Sequence, residues 1–260
     1  AAWEIVIAPF GKLRFRHFFL ADIFCSLVKP FQDVYNSICY YSSEDWHLHS
    51  LESCPDSAKI LFALSFLPYW FRFMQCWRKY YDTKSKFPHV ANAMKYFSGI
   101  IVVIASLTVQ LTGALGSLWY LWIIIYVIAT MYMYLWDLFM DWDMFRYDPN
   151  SLLKLRMRSH RIYPKHYYIF ASVTNLILRF FWVMTLFPIR ILDIRSMDKG
   201  LLVLILSVAE IYRRAQWAIF RVENECINNY EKFRTIDDVP MAKSYMSRNF
   251  SLNNFNKLDQ

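Results

Sequence analysis

The sequence predicts an all-α integral membrane protein in which about six transmembrane helices form a bundle around a polar, cation-rich path. Three observations lead there. The 260-residue chain is 57% hydrophobic and 19% aromatic, with 22 Phe, 18 Tyr and 10 Trp against only 5 Gly, and a soluble domain of this size rarely carries so many uninterrupted apolar runs. Its 29 Lys and Arg give a net charge of +8, which would also suit nucleic acid, but they cluster at the ends of apolar segments, as membrane-flanking residues do. Finally, the stretch 201–228, LLVLILSVAEIYRRAQWAIFRVENECIN, turns from apolar to charged without losing its helical period.

That last stretch organises the rest. At about 100° per residue, Glu210, Arg213, Arg214, Trp217, Arg221, Asn224 and Asn228 fall in one narrow sector. An arginine at bilayer depth costs a few kcal/mol, so such a sector turns toward partners or a wet cavity rather than toward lipid.

Residues 1–17 read as a basic cytoplasmic lead-in that ends in GKLRFRH, and a chain opening on Ala1 reads as a fragment of a longer protein. No signal peptide is recognisable. The first span, 18–41, carries a stripe of Asp22, Ser26, Lys29, Asp33 and Asn36 at spacings of three and four, with a kink expected at Pro30. Such a mixed helix either lines a cavity or lies in the interface; the cavity reading is preferred. An acidic loop follows at 42–57, with Glu44, Asp45, Glu52 and Asp56.

The second span, 58–80, puts Ser65, Pro68, Arg72, Gln75 and Lys79 on one face. After the basic turn RKYYDTKSK comes the third span, 89–112, with Asn92, Lys95, Gly99 and Ser106 sharing a face. The fourth span, from Leu118 to Met140, is the clearest transmembrane signal, at roughly 20 residues. Its last turn sets Asp137 and Asp141 one above the other. A long basic loop leads to the fifth span, 166–188, whose polar face holds Ser172, Asn175, Arg179 and Trp182. The sixth span is the organising helix, and residues 235–260 read as a polar, disordered cytoplasmic tail. Basic and non-basic connections alternate, so both ends are expected in the cytoplasm.

Each span thus contributes a polar face, and cations are at least as numerous as carboxylates. One reading neutralises them in structural pairs, Glu210 with Arg213 or Arg214 and Asp137 with Arg179. The other gives several arginine forks to an anion rich in oxygens, since guanidinium matches phosphate or carboxylate bidentately. Trp182 and Trp217 would narrow the path or stack on guanidinium groups.

The strings YWFRFMQCWRKYYDTKSKFPHVANAMKY, LWDLFMDWDMF, LILRFFW and EIYRRAQWAIFRVENECINN resemble the EXS domain of the xenotropic and polytropic retrovirus receptor family of eukaryotic phosphate exporters. The likeness runs from about Phe19 to Asp237 and defines an EXS transmembrane domain over 18–234. It implies phosphate export through the bundle, with Asp22, Ser26, Lys95, Arg179, Trp182, Arg213 and Arg214 along the path. Arg72, Asp137, Asp141, Glu210, Trp217 and Arg221 would form the supporting charge network. It further implies a homodimer and regulation by inositol pyrophosphate through an SPX domain, which this sequence does not contain. The chain departs from the pattern at Cys25, where the relatives carry Asn.

No cofactor or metal is expected in this chain. No pair of the five cysteines has CxxC spacing. Cys39 and Cys54 bracket the 42–57 loop, which a disulfide between them would close, a pairing the resemblance supports; Cys25, Cys76 and Cys226 read as inert. His47 and His49 read as loop residues. No HExxH, GxSxG or phosphate-binding glycine loop supports an enzyme. The expected partners are inorganic phosphate and the bilayer, most simply the plasma membrane, with an internal membrane as the alternative and no nucleic acid. The competing functions are a membrane receptor or scaffold with a structural charged core, and transport of another anion.

Overall fold

The computed structural model describes residues 14–42, 57–113, 116–147, 155–158, 161–185 and 199–228. The acidic loop with Cys54, His47 and His49, the connection at 186–198 and the C-terminal tail lie outside the described residues.

The first predicted span is two helices, α1 (Phe15–Ser26) and α2 (Val28–Ser42). The break falls at Leu27 (φ −91°, ψ 10°), one turn before the expected kink. A proline ring crowds the carbonyl four residues back, which for Pro30 is Ser26, the last residue of α1. The α3 helix (Ser57–Thr83) runs through Pro68. Next, α4 (His89–Thr112) ends at Gly113, whose φ of +57° makes the left-handed cap that favours glycine.

Helix α5 (Ser117–Trp136) continues into a π-helical turn, Asp137–Asp141, closed by Trp142 N–H donating to the Asp137 carbonyl at 2.8 Å. The basic loop beyond is not wholly irregular. It contains a short antiparallel hairpin, β1 (Phe145–Tyr147) with β2 (Leu155–Met157), in which Arg146 pairs with Arg156. The fifth span is α6 (Lys165–Arg179) followed by a 3-10 turn, Phe181–Thr185, and the sixth is α7 (Lys199–Asn228).

Three helical stretches, His89–Thr112, Ser117–Asp141 and Lys165–Met184, are long and apolar enough to cross a membrane by length and composition. Each still brings charge to the interior, Lys95 on the first, Asp137 and Asp141 on the second and Arg179 on the third. The bundle is inside-out relative to a water-soluble protein. Leu121, Ile124 and Ile128 on α5, Phe170, Val173 and Ile177 on α6, and Leu204, Val208 and Ile211 on α7 are exposed, whereas Asp22, Arg72, Gln75, Lys95, Asp137, Asn175, Arg213 and Asn224 are buried. Apolar surface left in water forfeits about 25 cal/mol per Å², so the medium that suits this exterior is lipid. An all-α integral membrane fold follows.

Close packing inside the bundle depends on Gly99 of α4. A Cβ there would lie 2.7 Å from the Tyr69 ring of α3. Glycine therefore lets the two helices meet while keeping Tyr69 in place.

A candidate anion-binding cavity

A cavity of about 750 Å³ occupies the bundle interior. Its wall brings together all seven predicted path residues, Asp22, Ser26, Lys95, Arg179, Trp182, Arg213 and Arg214. Four of the six predicted supporting residues, Asp137, Asp141, Glu210 and Trp217, share that wall. Arg72 and Arg221 stand behind it, each against a wall carboxylate. Toward the other end the cavity reaches Ala58 and Gln110, near the start of α3 and the end of α4.

The charges are arranged in three clusters. In the first, Arg72 donates through Nε to Asp22 Oδ1 at 2.8 Å, through one terminal nitrogen to Gln75 Oε1 at 2.8 Å, and through the other to the Tyr96 hydroxyl at 2.8 Å. Tyr96 in turn donates to Asp22. The guanidinium lies over the Phe18 and Tyr96 rings, 4.9 and 4.6 Å from their centroids. Every face of this buried cation is thereby occupied.

In the second cluster Arg179 pairs with Asp137, which also accepts from Asn175 Nδ2 at 3.0 Å. Arg213 then holds Glu210 through two donors, at 2.7 and 2.5 Å, and reaches Asn175 Oδ1 at 3.4 Å. Asn175, wholly buried, therefore links Asp137, the partner of Arg179, to Arg213 through opposite ends of its amide. Both pairs that a structural core would need are present.

The third cluster is less satisfied. Lys95 Nζ sits 3.7 Å from Asp141 Oδ2, beyond hydrogen-bond length, and rests over the Tyr96 and Trp136 rings. Arg214 donates to Ser26 Oγ at 2.6 Å and stacks on Trp217 at 4.6 Å. Among the described residues it makes no ion pair. The Leu27 helix break places Ser26 at the α1 terminus, against Arg214. Around the cavity, among the described residues, seven cations (Lys29, Arg72, Lys95, Arg179, Arg213, Arg214 and Arg221) meet four carboxylates (Asp22, Asp137, Asp141 and Glu210), with Asp33 a fifth beside Lys29 and Glu225 a sixth beyond Arg221 at 3.6 Å. The excess is positive.

The π turn carries both wall aspartates of α5, and α7 secures it. Trp217 Nε1 donates to Asp141 Oδ2 at 3.1 Å, while Asn224 Nδ2 donates to the Met140 and Asp141 carbonyls at 3.1 and 2.9 Å. Those carbonyls lie where the helix stops and have no onward N–H within it. Asn224 is thus a cap supplied from another helix. Leaving buried carbonyls unpaired costs about 1–3 kcal/mol, so Asn224→Ala is expected to lower thermal stability by that order. Unfolding of the detergent-solubilised variant, followed by tryptophan fluorescence, checks it; an unchanged midpoint would mean that water caps the turn equally well.

Asn175, Tyr96 and Asn224 were not singled out as site residues in the sequence. Asn175 and Asn224 nevertheless lie on the faces read as polar, so facing itself was the available signal. Tyr96 follows Lys95 directly and gave none. Nor did periodicity reveal the buried pair of Arg158, just past β2, with Glu223 of α7 at 2.8 Å, because Arg158 read as one of many loop cations. Trp182 packs flat on Tyr126, with centroids 4.0 Å apart. Cys39 is disulfide-bonded, while Cys25, Cys76 and Cys226 are free; the expected partner, Cys54, lies outside the described residues.

An inside-out helical bundle with a buried, cation-rich hollow defines an integral membrane protein with a polar interior. The chain belongs to the EXS family, whose model matches residues 1–227. It is 36% identical over 253 residues to the xenotropic and polytropic retrovirus receptor 1 homolog of Danio rerio, covering 92% of this chain and 36% of that protein. To solute carrier family 53 member 1 of Homo sapiens it is 32% identical over 257 residues, with the same coverage. To the SPX and EXS domain-containing protein 1 of Dictyostelium discoideum it is 36% identical over 239 residues, covering 90% of this chain and 25% of that one. The chain therefore spans about a third or less of the length of these relatives.

Proposed function

We propose that this chain forms the membrane path of an inorganic-phosphate exporter, with Asp22, Ser26, Lys95, Arg179, Trp182, Arg213 and Arg214 along it. The observation that carries this reading is the state of Arg214. A structural charged core would pair each guanidinium, as it pairs Arg179 and Arg213. Arg214 instead faces a 750 Å³ cavity with a serine and an indole as its neighbours. A fork of N–H donors lining the same cavity as Lys95 is the arrangement that replaces a phosphate's hydration shell. The wall carboxylates moderate the field so that the ion leaves as well as enters.

Inositol pyrophosphate control through an SPX domain, homodimer assembly and a plasma-membrane location with cytoplasmic ends belong to the same reading. They are supported by the motifs shared with the family and by the composition of the relative named for SPX and EXS domains. The test is efflux of radiolabelled phosphate from proteoliposomes holding this chain, beside an Arg179→Ala/Arg213→Ala variant of verified fold. Flux in the parent and none in the variant is the expected result. Flux of sulfate or a carboxylate in place of phosphate would shift the reading to another anion. If the folded parent passes no anion, either alone or with an SPX domain added, the receptor or scaffold reading takes over.

A further inference from the structure

A second hollow of only about 10 Å³ lies toward the α3–α4 turn, lined by Phe18, Cys76, Lys79, His89 and Trp136 among others. Asp141 lines both spaces. A space of roughly 10–15 Å³ accommodates about one water; a phosphate does not fit.

What stands between the two is well defined. Lys95 Nζ lies 3.7 Å from Asp141 Oδ2 and 5.3 Å from the Trp136 centroid. Phe18, 4% exposed, is pinned by two cations over its ring, Arg72 at 4.9 Å and Lys79 at 5.1 Å. Trp136 is 6% exposed. Phe18 and Trp136 thus line the small hollow, and the loosely made Lys95–Asp141 pair stands where the two spaces share Asp141.

We infer that Phe18, Trp136 and the Lys95–Asp141 pair form a closed neck, and that passage between the cavity and the Lys79–His89 end requires this neck to open. Apolar constrictions exclude water and ions together, so the rings supply closure. The ion pair supplies the trigger, because an anion arriving in the cavity competes with Asp141 for Lys95. The role in transport rests on the phosphate reading, but the closure itself is measurable without any flux.

The protein carries its own reporters, since the free thiol Cys25 lines the cavity and the free thiol Cys76 lines the small hollow. In a Cys226→Ser background, the protein in detergent is treated with the anionic reagent 2-sulfonatoethyl methanethiosulfonate, and adducts at each cysteine are followed by peptide mass spectrometry. Cys76 is expected to resist modification in the parent. In Trp136→Ala its modification is expected to rise at least tenfold, and Trp136→Phe is expected to retain protection. Phe18→Ala provides a second opening should Trp136→Ala fail to fold. Modification of Cys76 at the same rate in the parent and in folded variants lacking the rings would overturn the neck. If the thiol pattern holds while phosphate flux is absent, the neck stands and the phosphate reading falls.

Discussion

Arg214→Gln is expected to reduce phosphate efflux by about 10- to 150-fold while leaving the unfolding temperature nearly unchanged. The magnitude comes from losing a hydrogen bond between a charged donor and an anion, worth about 1.5–3 kcal/mol, at 1.4 kcal/mol for each tenfold. The stability expectation comes from the contacts. Arg214 makes no ion pair among the described residues, and its Ser26 bond and Trp217 stack are replaceable by a glutamine amide and the rest of its stem. Arg213→Gln should behave differently, because Arg213 holds Glu210 and touches Asn175, so both flux and stability fall. Efflux from proteoliposomes and thermal unfolding of the same preparations separate the two. Undiminished efflux in a folded Arg214→Gln protein would remove the unpaired cation from the path.

That contrast between adjacent arginines was not readable in the sequence. Helical phase placed Glu210, Arg213, Arg214 and Trp217 in one sector, and the cavity wall contains all four. Phase reports which way a residue faces, and facing depends on the helix alone. Which carboxylate each cation meets depends on how the helices cross. That is why Arg179–Asp137 stood only as one option while Tyr96, which ties Asp22 to Arg72, gave no signal.

The interruptions were also hidden, each for its own reason. Pro30 announced a break, but the clash acts four residues back and so freed Ser26 rather than the turn at Pro30 itself. The π turn at Asp137–Asp141 is set by Asn224 and Trp217 reaching across from α7, and a residue pattern within α5 cannot reveal caps donated by another helix. The hairpin after it was hidden because its strands are three residues long, too short for an alternation to register.

The second large effect is expected at Arg72 and Asp22. Asp22→Ala leaves a guanidinium that is 3% exposed with only neutral partners. Breaking a buried pair in this way costs about 3–5 kcal/mol, a large share of the roughly 5–15 kcal/mol that holds a typical domain together, so the single variant should be poorly folded. The cluster is tested further by removing its charges and hydroxyl together. In Asp22→Leu/Arg72→Met/Tyr96→Phe no buried charge or hydroxyl is stranded and only the Gln75 amide loses a donor, and substitution of buried ion pairs by apolar side chains of similar volume is often neutral or stabilising. The triple variant should therefore regain most of the stability lost by Asp22→Ala, measured as the unfolding midpoint in detergent. Phosphate efflux should not return with it, because Asp22 is part of the cavity wall and its carboxylate helps set the field felt by Lys95 and Arg214. Recovery of both stability and efflux would show that this cluster serves the fold alone, and would confine the transport role to the clusters around Asp137, Asp141 and Glu210.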